Sequence, residues 1–239
     1  MPRHGFARRR RFEVVHAEER EALFRLHADS ETLRIYPFQF ELDLAFRLEG
    51  DAFTMRAAVR NTDDAPMPAS LGFHPAFRWP LPVADNAAPR GAHFIEFAQE
   101  EPAPVRRLDA QGLLTSAHHP TPVRGRRLAL DDSLFIDDVL IFDQLRSRQL
   151  HYGADRRETG QQATGRHAAT CPRLAVDFEG ATHLGVWTKP GAGFLCIEPW
   201  SGIADPVGFA GELDTKPGIF IVPRGASQSL QMRLRLDSE

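Results

Sequence analysis

Lysine is almost missing from this 239-residue sequence: Lys189 and Lys216 are the only two, and arginine carries the remaining positive charge. With 29 basic against 32 acidic residues and a formal net charge of -3, there is no broad basic field for nucleic acid. The one basic run, Arg8 to Arg11, is too short to define a surface. Cysteine is equally scarce. Cys171 and Cys196 form no CxxC pair, which argues against a disulfide framework or a cysteine zinc motif and favours a reducing, cytoplasmic setting. No stretch approaches the ~18 apolar residues of a membrane span, and the charged start MPRHGFARRRR is not followed by the apolar segment of a signal peptide. The GxSxG turn of serine hydrolases is absent too, and no other nucleophile stands out.

What is present is a pattern of strands. The composition, 42% hydrophobic and 26% charged, is that of an ordinary globular protein. Phe38, Phe40, Leu42, Leu44, Phe46 and Leu48 alternate with polar residues as far as Glu49, which is the period of a strand with one face in the core. Gly50-Asp51 follows, and Phe53, Met55, Ala57 and Val59 alternate again, predicting a β-hairpin. Weaker alternation marks Phe12 to Val15, Ala22 to His27, His93 to Phe97, Leu174 to Phe178, Leu184 to Trp187 and Gln228 to Leu236. No long window carries a helical period, and 18 prolines and 18 glycines punctuate the chain. Strands in this number, without helices to cover them, must pack sheet on sheet. The expectation is therefore an all-β, large antiparallel sandwich forming one domain over residues 1–239. Ala98 to Arg127 and Gly153 to Pro172 read as long loops.

Four places could carry chemistry. In LGFHPAFRWP, His74 precedes Pro75, so its backbone is expected to be extended; Phe73, Phe77 and Trp79 surround it in sequence. It is either a hydrogen-bonded packing residue or a proton donor in a pocket. In FLCIEPWSG, Glu198 emerges where an apolar strand ends, and partial burial there would raise its pKa toward that of a general base. Trp200 beside it offers a flat apolar face. In LFIDDVLIF, Asp137 and Asp138 interrupt an apolar run and must be hydrogen-bonded or face a cleft. His4 and Arg8 flank Gly5-Phe6-Ala7 at the start. His118, His119 and His151 lack ligand-like spacing and read as loop residues.

Taken in order, RHGFAR, LGFHPAFRWPL, LFIDDVLIF and the run LGVWTKPGAGFLCIEPWSGIADPVGFAGELDTKPG resemble the aldose 1-epimerase (galactose mutarotase) family, most closely its LacX-like branch. The His-Pro and Glu-Pro-Trp segments are the specific ones. The resemblance implies a β supersandwich with an open cleft, a monosaccharide partner (a hexose or hexose phosphate), interconversion of its anomers without metal or cofactor, and a monomer or homodimer. Carried over by position, it makes His74 the general acid and Glu198 the general base. Asp138 and His4 would hold the sugar's hydroxyls and ring, with Asp137 the rival of Asp138. Phe73, Phe77, Trp79 and Trp200 either stack on the sugar's C–H face or simply pack in the core. Family members carry further strands ahead of the HGF segment, so the chain is expected to lack N-terminal strands. Two alternatives stand beside the epimerase: a hexose-6-phosphate mutarotase, with Arg8 gripping the phosphate, and a non-catalytic carbohydrate-binding or regulatory protein on the same fold.

Overall fold

The computed structural model describes residues 4–82, 88–155 and 173–237. Among the described residues sixteen strands follow one another: β1 (Glu13–Ala17), β2 (Glu21–His27), β3 (Phe40–Glu49), β4 (Ala52–Asn61), β5 (Met67–Ala69), β6 (Leu71–Gly72), β7 (Ala76–Arg78) and β8 (His93–Phe97), then β9 (Arg127–Ala129), β10 (Leu140–Phe142), β11 (Gln149–Ala154), β12 (Arg173–Glu179), β13 (His183–Trp187), β14 (Phe194–Ser201), β15 (Phe220–Val222) and β16 (Ser227–Asp237). Among the described residues helical structure is limited to four 3-10 turns, so the all-β expectation holds. The hairpin is where the alternation put it: Glu49 pairs with Ala52 across Gly50-Asp51, and Gly50 takes φ +60°, a backbone that glycine adopts without steric cost.

Nine strands form one sheet in the order β1-β2-β3-β4-β16-β12-β11-β8-β9, and every pairing is antiparallel. A five-stranded sheet runs β10-β13-β14, with β6 and β7 both pairing with the far edge of β14. A short β5-β15 pair completes the set. The segment between β8 and β9 holds only isolated bridges, as expected of the stretch read as a loop. Of the other predicted loop, Gly153 and Ala154 belong to β11 and residues 156–172, with Cys171, lie outside the described residues. His151 also sits in β11 rather than in a loop, 3.0 Å from Asp237.

The main core lies between the two larger sheets. Ile95, Leu150, Val176, Leu230 and Met232 of the nine-stranded sheet meet Leu140, Leu184, Val186, Leu195 and Ile197 of the five-stranded one. Because successive side chains of a strand point to opposite faces, Leu195 and Ile197 can enter this core only if Cys196, Glu198 and Trp200 point out of its other side. That outer side carries a smaller apolar cluster, Leu114, Val139 and Ile141 packed with Trp187, Trp200 and Ile203. The candidate site is built there.

Candidate active site

His74 and Glu198 are brought together by strand register. β6 pairs Gly72 with Trp200, and β7 pairs Ala76 with Cys196; both pairs belong to one continuous antiparallel register, in which His74 falls opposite Glu198. The ladder lapses between them because Pro75 has no N–H to donate. The two side chains meet across this gap, His74 Nδ1 standing 3.3 Å from Glu198 Oε1. They are unequal in exposure, 40% for the imidazole side chain and 4% for the carboxyl.

Burial pushes the Glu198 carboxyl up to about 8. The Trp200 indole, hydrogen-bonded to the carboxylate, works against that rise, and the charge of nearby Asp138 adds to it. The indole lies where two glycines leave room. A Cβ on Gly72 would stand 2.8 Å from Trp200 Cδ1, and one on Gly185 would stand 2.5 Å from Trp200 Cζ2. Gly185 pairs with Glu198 on the β13 side, so the strands flanking β14 are both bare where the indole crosses. Trp200 is thus held in a slot beside the carboxylate as a hydrogen-bond donor.

His4 and Asp138 close on the same pair. The His4 ring meets the His74 ring edge-on with centroids 5.4 Å apart, and Trp187 stands at 90° to His74 at 6.1 Å. Among the described residues His4 and Asp138 are the two non-glycine positions with positive φ, +64° and +65°. That conformation is uncommon for residues with a Cβ and collects at functional sites. Arg107 holds the Asp138 turn from behind, donating from Nη1 to the Asp138 carbonyl at 2.8 Å and from Nη2 to the Leu134 carbonyl at 2.7 Å. The Asp138 carboxylate accepts from the Val139 N–H at 2.9 Å. Asp137 is exposed, and among the acidic residues Asp138 is the one whose charge acts on Glu198. Asp138 is therefore the carboxylate that belongs with the pair.

The aromatic wall does not surround His74. From Leu71 to Trp79 the chain alternates: Gly72, His74, Ala76 and Arg78 are exposed, while Leu71, Phe73, Phe77 and Trp79 point to the core. Phe77 sits opposite Leu195 and packs against the main core. Trp79 is fully buried; its indole N–H donates to the Arg90 carbonyl at 3.0 Å, and the Arg90 guanidinium lies 3.5 Å over the ring. Of the two readings, Phe73, Phe77 and Trp79 follow core packing and not stacking on a sugar, because neighbours in a strand face opposite sides. Arg8 lies exposed in the 3-10 turn Ala7–Arg9 that follows His4, and Phe6 anchors that turn against Tyr36 and Phe40. Arg107 went unnoticed in sequence because it lies in a stretch with no period. Trp187 was detectable, standing out of phase with Leu184 and Val186.

The sequence matches the family model described as aldose 1-epimerase over residues 1–212. It is 28% identical to the chromosomal and plasmid LacX proteins of Lactococcus lactis subsp. lactis over 221 residues, which is 91% of this chain and 69% of each relative. The solved structure of a galactose mutarotase related enzyme from Lactobacillus acidophilus is similar at 27% identity and a TM-score of 0.77, covering 98% of this chain and 74% of that one. A galactose mutarotase-like protein from Lactobacillus casei ATCC 334 shares the fold, with a TM-score of 0.81 at 22% identity over 99% of this chain and 76% of that one. With a family model matched from its first residue to Glu212, a sandwich like those of mutarotase relatives and the His-Pro and Glu-Pro-Trp segments facing each other, the chain belongs to the aldose 1-epimerase family.

Proposed function

We propose that this chain is an aldose 1-epimerase, interconverting the α and β anomers of a hexose by ring opening and reclosure. The observation that carries the reading is the 3.3 Å contact between His74 Nδ1 and Glu198 Oε1, with the carboxyl raised by burial to about 8. A pair so close titrates as a unit. The chemistry needs one proton shared by the pair. With the proton on the imidazole, Glu198 is a carboxylate that accepts the C1 hydroxyl proton while His74 donates to the ring oxygen. The C1–O5 bond breaks to the open-chain aldehyde. Rotation about C1–C2 and reclosure return the proton to His74, so neither group is consumed.

Nδ1 faces Glu198, so Nε2 is the nitrogen that serves the ring oxygen. His4 and Asp138, each fixed in a left-handed backbone beside the pair, orient the hydroxyls. Trp200 tunes the base rather than supplying a stacking face. The exposed Arg8 on the turn after His4 keeps a phosphorylated hexose as the second reading.

The test is polarimetry or saturation-transfer NMR on freshly dissolved α-glucose, α-galactose and glucose 6-phosphate. His74→Asn and Glu198→Gln are each expected to lower the exchange rate by a factor of ~10² to 10⁴, the usual worth of a positioned acid or base. If the wild type binds a hexose without accelerating exchange, the protein is a sugar-binding module and the enzyme reading fails. If glucose 6-phosphate alone responds, and Arg8→Ala abolishes the response, the phosphorylated substrate is the right one.

A further inference from the structure

Cys196 has no part in the chemistry above, yet its sulfur lies beside both members of the pair. A ring nitrogen of His74, Cys196 Sγ and a Glu198 carboxylate oxygen all stand within 4.8 Å of one another. They come from two strands in one register: Cys196 and Glu198 two residues apart on the outward face of β14, and His74 across from them. Imidazole, thiolate and carboxylate are the three side-chain types that zinc accepts. In a tetrahedral site with bonds of ~2.0 to 2.3 Å, nitrogen and oxygen donors stand ~3.4 Å apart, and the pair already stands at 3.3 Å. Sulfur needs an edge of ~3.6 Å, so it has to close by at most ~1.2 Å. The half-exposed imidazole gives an ion a way in, and the Asp138 carboxylate adds negative charge close by.

We infer that His74, Cys196 and Glu198 form a three-donor site for a thiophilic divalent cation such as Zn²⁺, with a fourth position left for water, and that the ion blocks the acid/base pair when bound. Zn–N, Zn–S and Zn–O bonds form, while the cysteine S–H bond and the bond to the proton held by the His74-Glu198 pair break. These protons pass to solvent as the ion binds, and nothing is oxidised or reduced. The charged and titratable groups around the three donors are His4, Asp138 and Arg107. Arg107 opposes the cation, but its two guanidinium donors are directed at the Asp138 and Leu134 carbonyls. No CxxC spacing announces such a site, because its ligands meet through sheet register.

The loss of turnover rests on the acid/base reading; the binding does not. Protein freed of metal with chelator is titrated with Co²⁺ and then Zn²⁺. A near-ultraviolet thiolate-to-cobalt charge-transfer band is expected, bleached by zinc, with net proton release in calorimetry across buffers of different ionisation enthalpy. Cys196→Ser is expected to lose the band and at least tenfold in zinc affinity. Should that variant fold poorly, His74→Asn on the exposed side is expected to weaken zinc similarly while Cys196 remains. Wild type with no thiolate band, or zinc affinity equal in wild type and both variants, overturns the site. If the band forms but the metal-free protein never speeds anomer exchange, the metal site stands and the epimerase reading fails. If exchange occurs and ignores saturating zinc, the block is wrong.

Discussion

At the scale of single residues, Glu198 sets the pH behaviour of the molecule. Its carboxyl is raised by burial from an ordinary 4.5 to about 8, so the folded protein holds that proton more tightly than the unfolded chain does. The stability this contributes is complete below pH 4.5 and is lost as pH rises through about 8. The full difference corresponds to at most ~4 to 5 kcal/mol. Glu198→Gln keeps the shape without the charge, so its melting temperature is expected to overtake that of the wild type between pH 5 and 8 and to hold a constant lead above pH 8. Scanning calorimetry across that range checks it, and a gap that does not change with pH would show that burial does not tune this carboxyl. Trp200 gives the companion prediction. Trp200→Phe keeps an apolar ring and removes the donor that favours the carboxylate, so the alkaline limb of the pH–rate profile should move up by about one on the pH scale, the worth of one hydrogen bond to a charged group. The rate at pH 7 should fall several-fold with KM little changed. A large KM effect with an unmoved limb would restore Trp200 as a stacking platform.

At the scale of elements, what sequence could tell depended on whether a strand carries its own alternation. β3, β4, β8 and β16 do, and they lie within one or two residues of their expected bounds. β10, buried throughout at Leu140, Ile141 and Phe142, has no period to read, and β6 and β7 are too short. The strand pattern within Leu71 to Trp79 was legible all the same: His74 stands in phase with Gly72 and Ala76 and out of phase with Phe73, Phe77 and Trp79. Register was beyond reach, since nothing local in FLCIEPWSG says which residue of LGFHPAFRWP lies opposite Glu198. The glycine slot is an element-scale feature that mutation can probe. A Cβ at Gly185 meets the indole at 2.5 Å from Cζ2 and 2.6 Å from Cη2, so Gly185→Ala should cost ~1 to 3 kcal/mol as an overpacked site and move the alkaline limb as Trp200→Phe does. An unchanged stability would mean that the indole has another place to go. Arg107→Met should leave the strands intact, release the Asp138 turn and raise KM for the hexose about tenfold. Arg107→Lys should restore little, because a lysine cannot span both carbonyls as the guanidinium fork does.

At the scale of the whole molecule, the two large sheets are unequal, and nine strands overhang five. Phe24 pairs with Val14 and Leu44, Leu48 with Phe53, and Leu236 with Leu174. These residues share the face that further along the sheet carries Leu230 and Met232 into the main core. Beyond the second sheet that face is open: Val14 is 57% exposed, Leu48 48% and Leu236 59%. Phe46 bridges the patch, with its ring 5.9 Å from Phe24 and stacked on Phe53 at 6.1 Å. The opposite face of the same strands is ionic, as in the Arg25–Asp43 pair at 2.6 Å. An apolar surface on the inner side of an overhanging sheet is expected to bind a hydrophobic dye and to promote self-association. Leu48→Lys combined with Leu236→Glu replaces two exposed side chains that contribute little to packing, so unfolding free energy should change by no more than ~1 kcal/mol. Dye fluorescence and concentration-dependent light scattering should both drop. Anomer exchange should be unaffected, because the patch lies on the nine-stranded sheet and His74 and Glu198 lie on the outer side of the other. If the double variant instead unfolds by several kcal/mol more readily, this face is covered in solution, and the inner side of the sheet is a second core rather than an open surface.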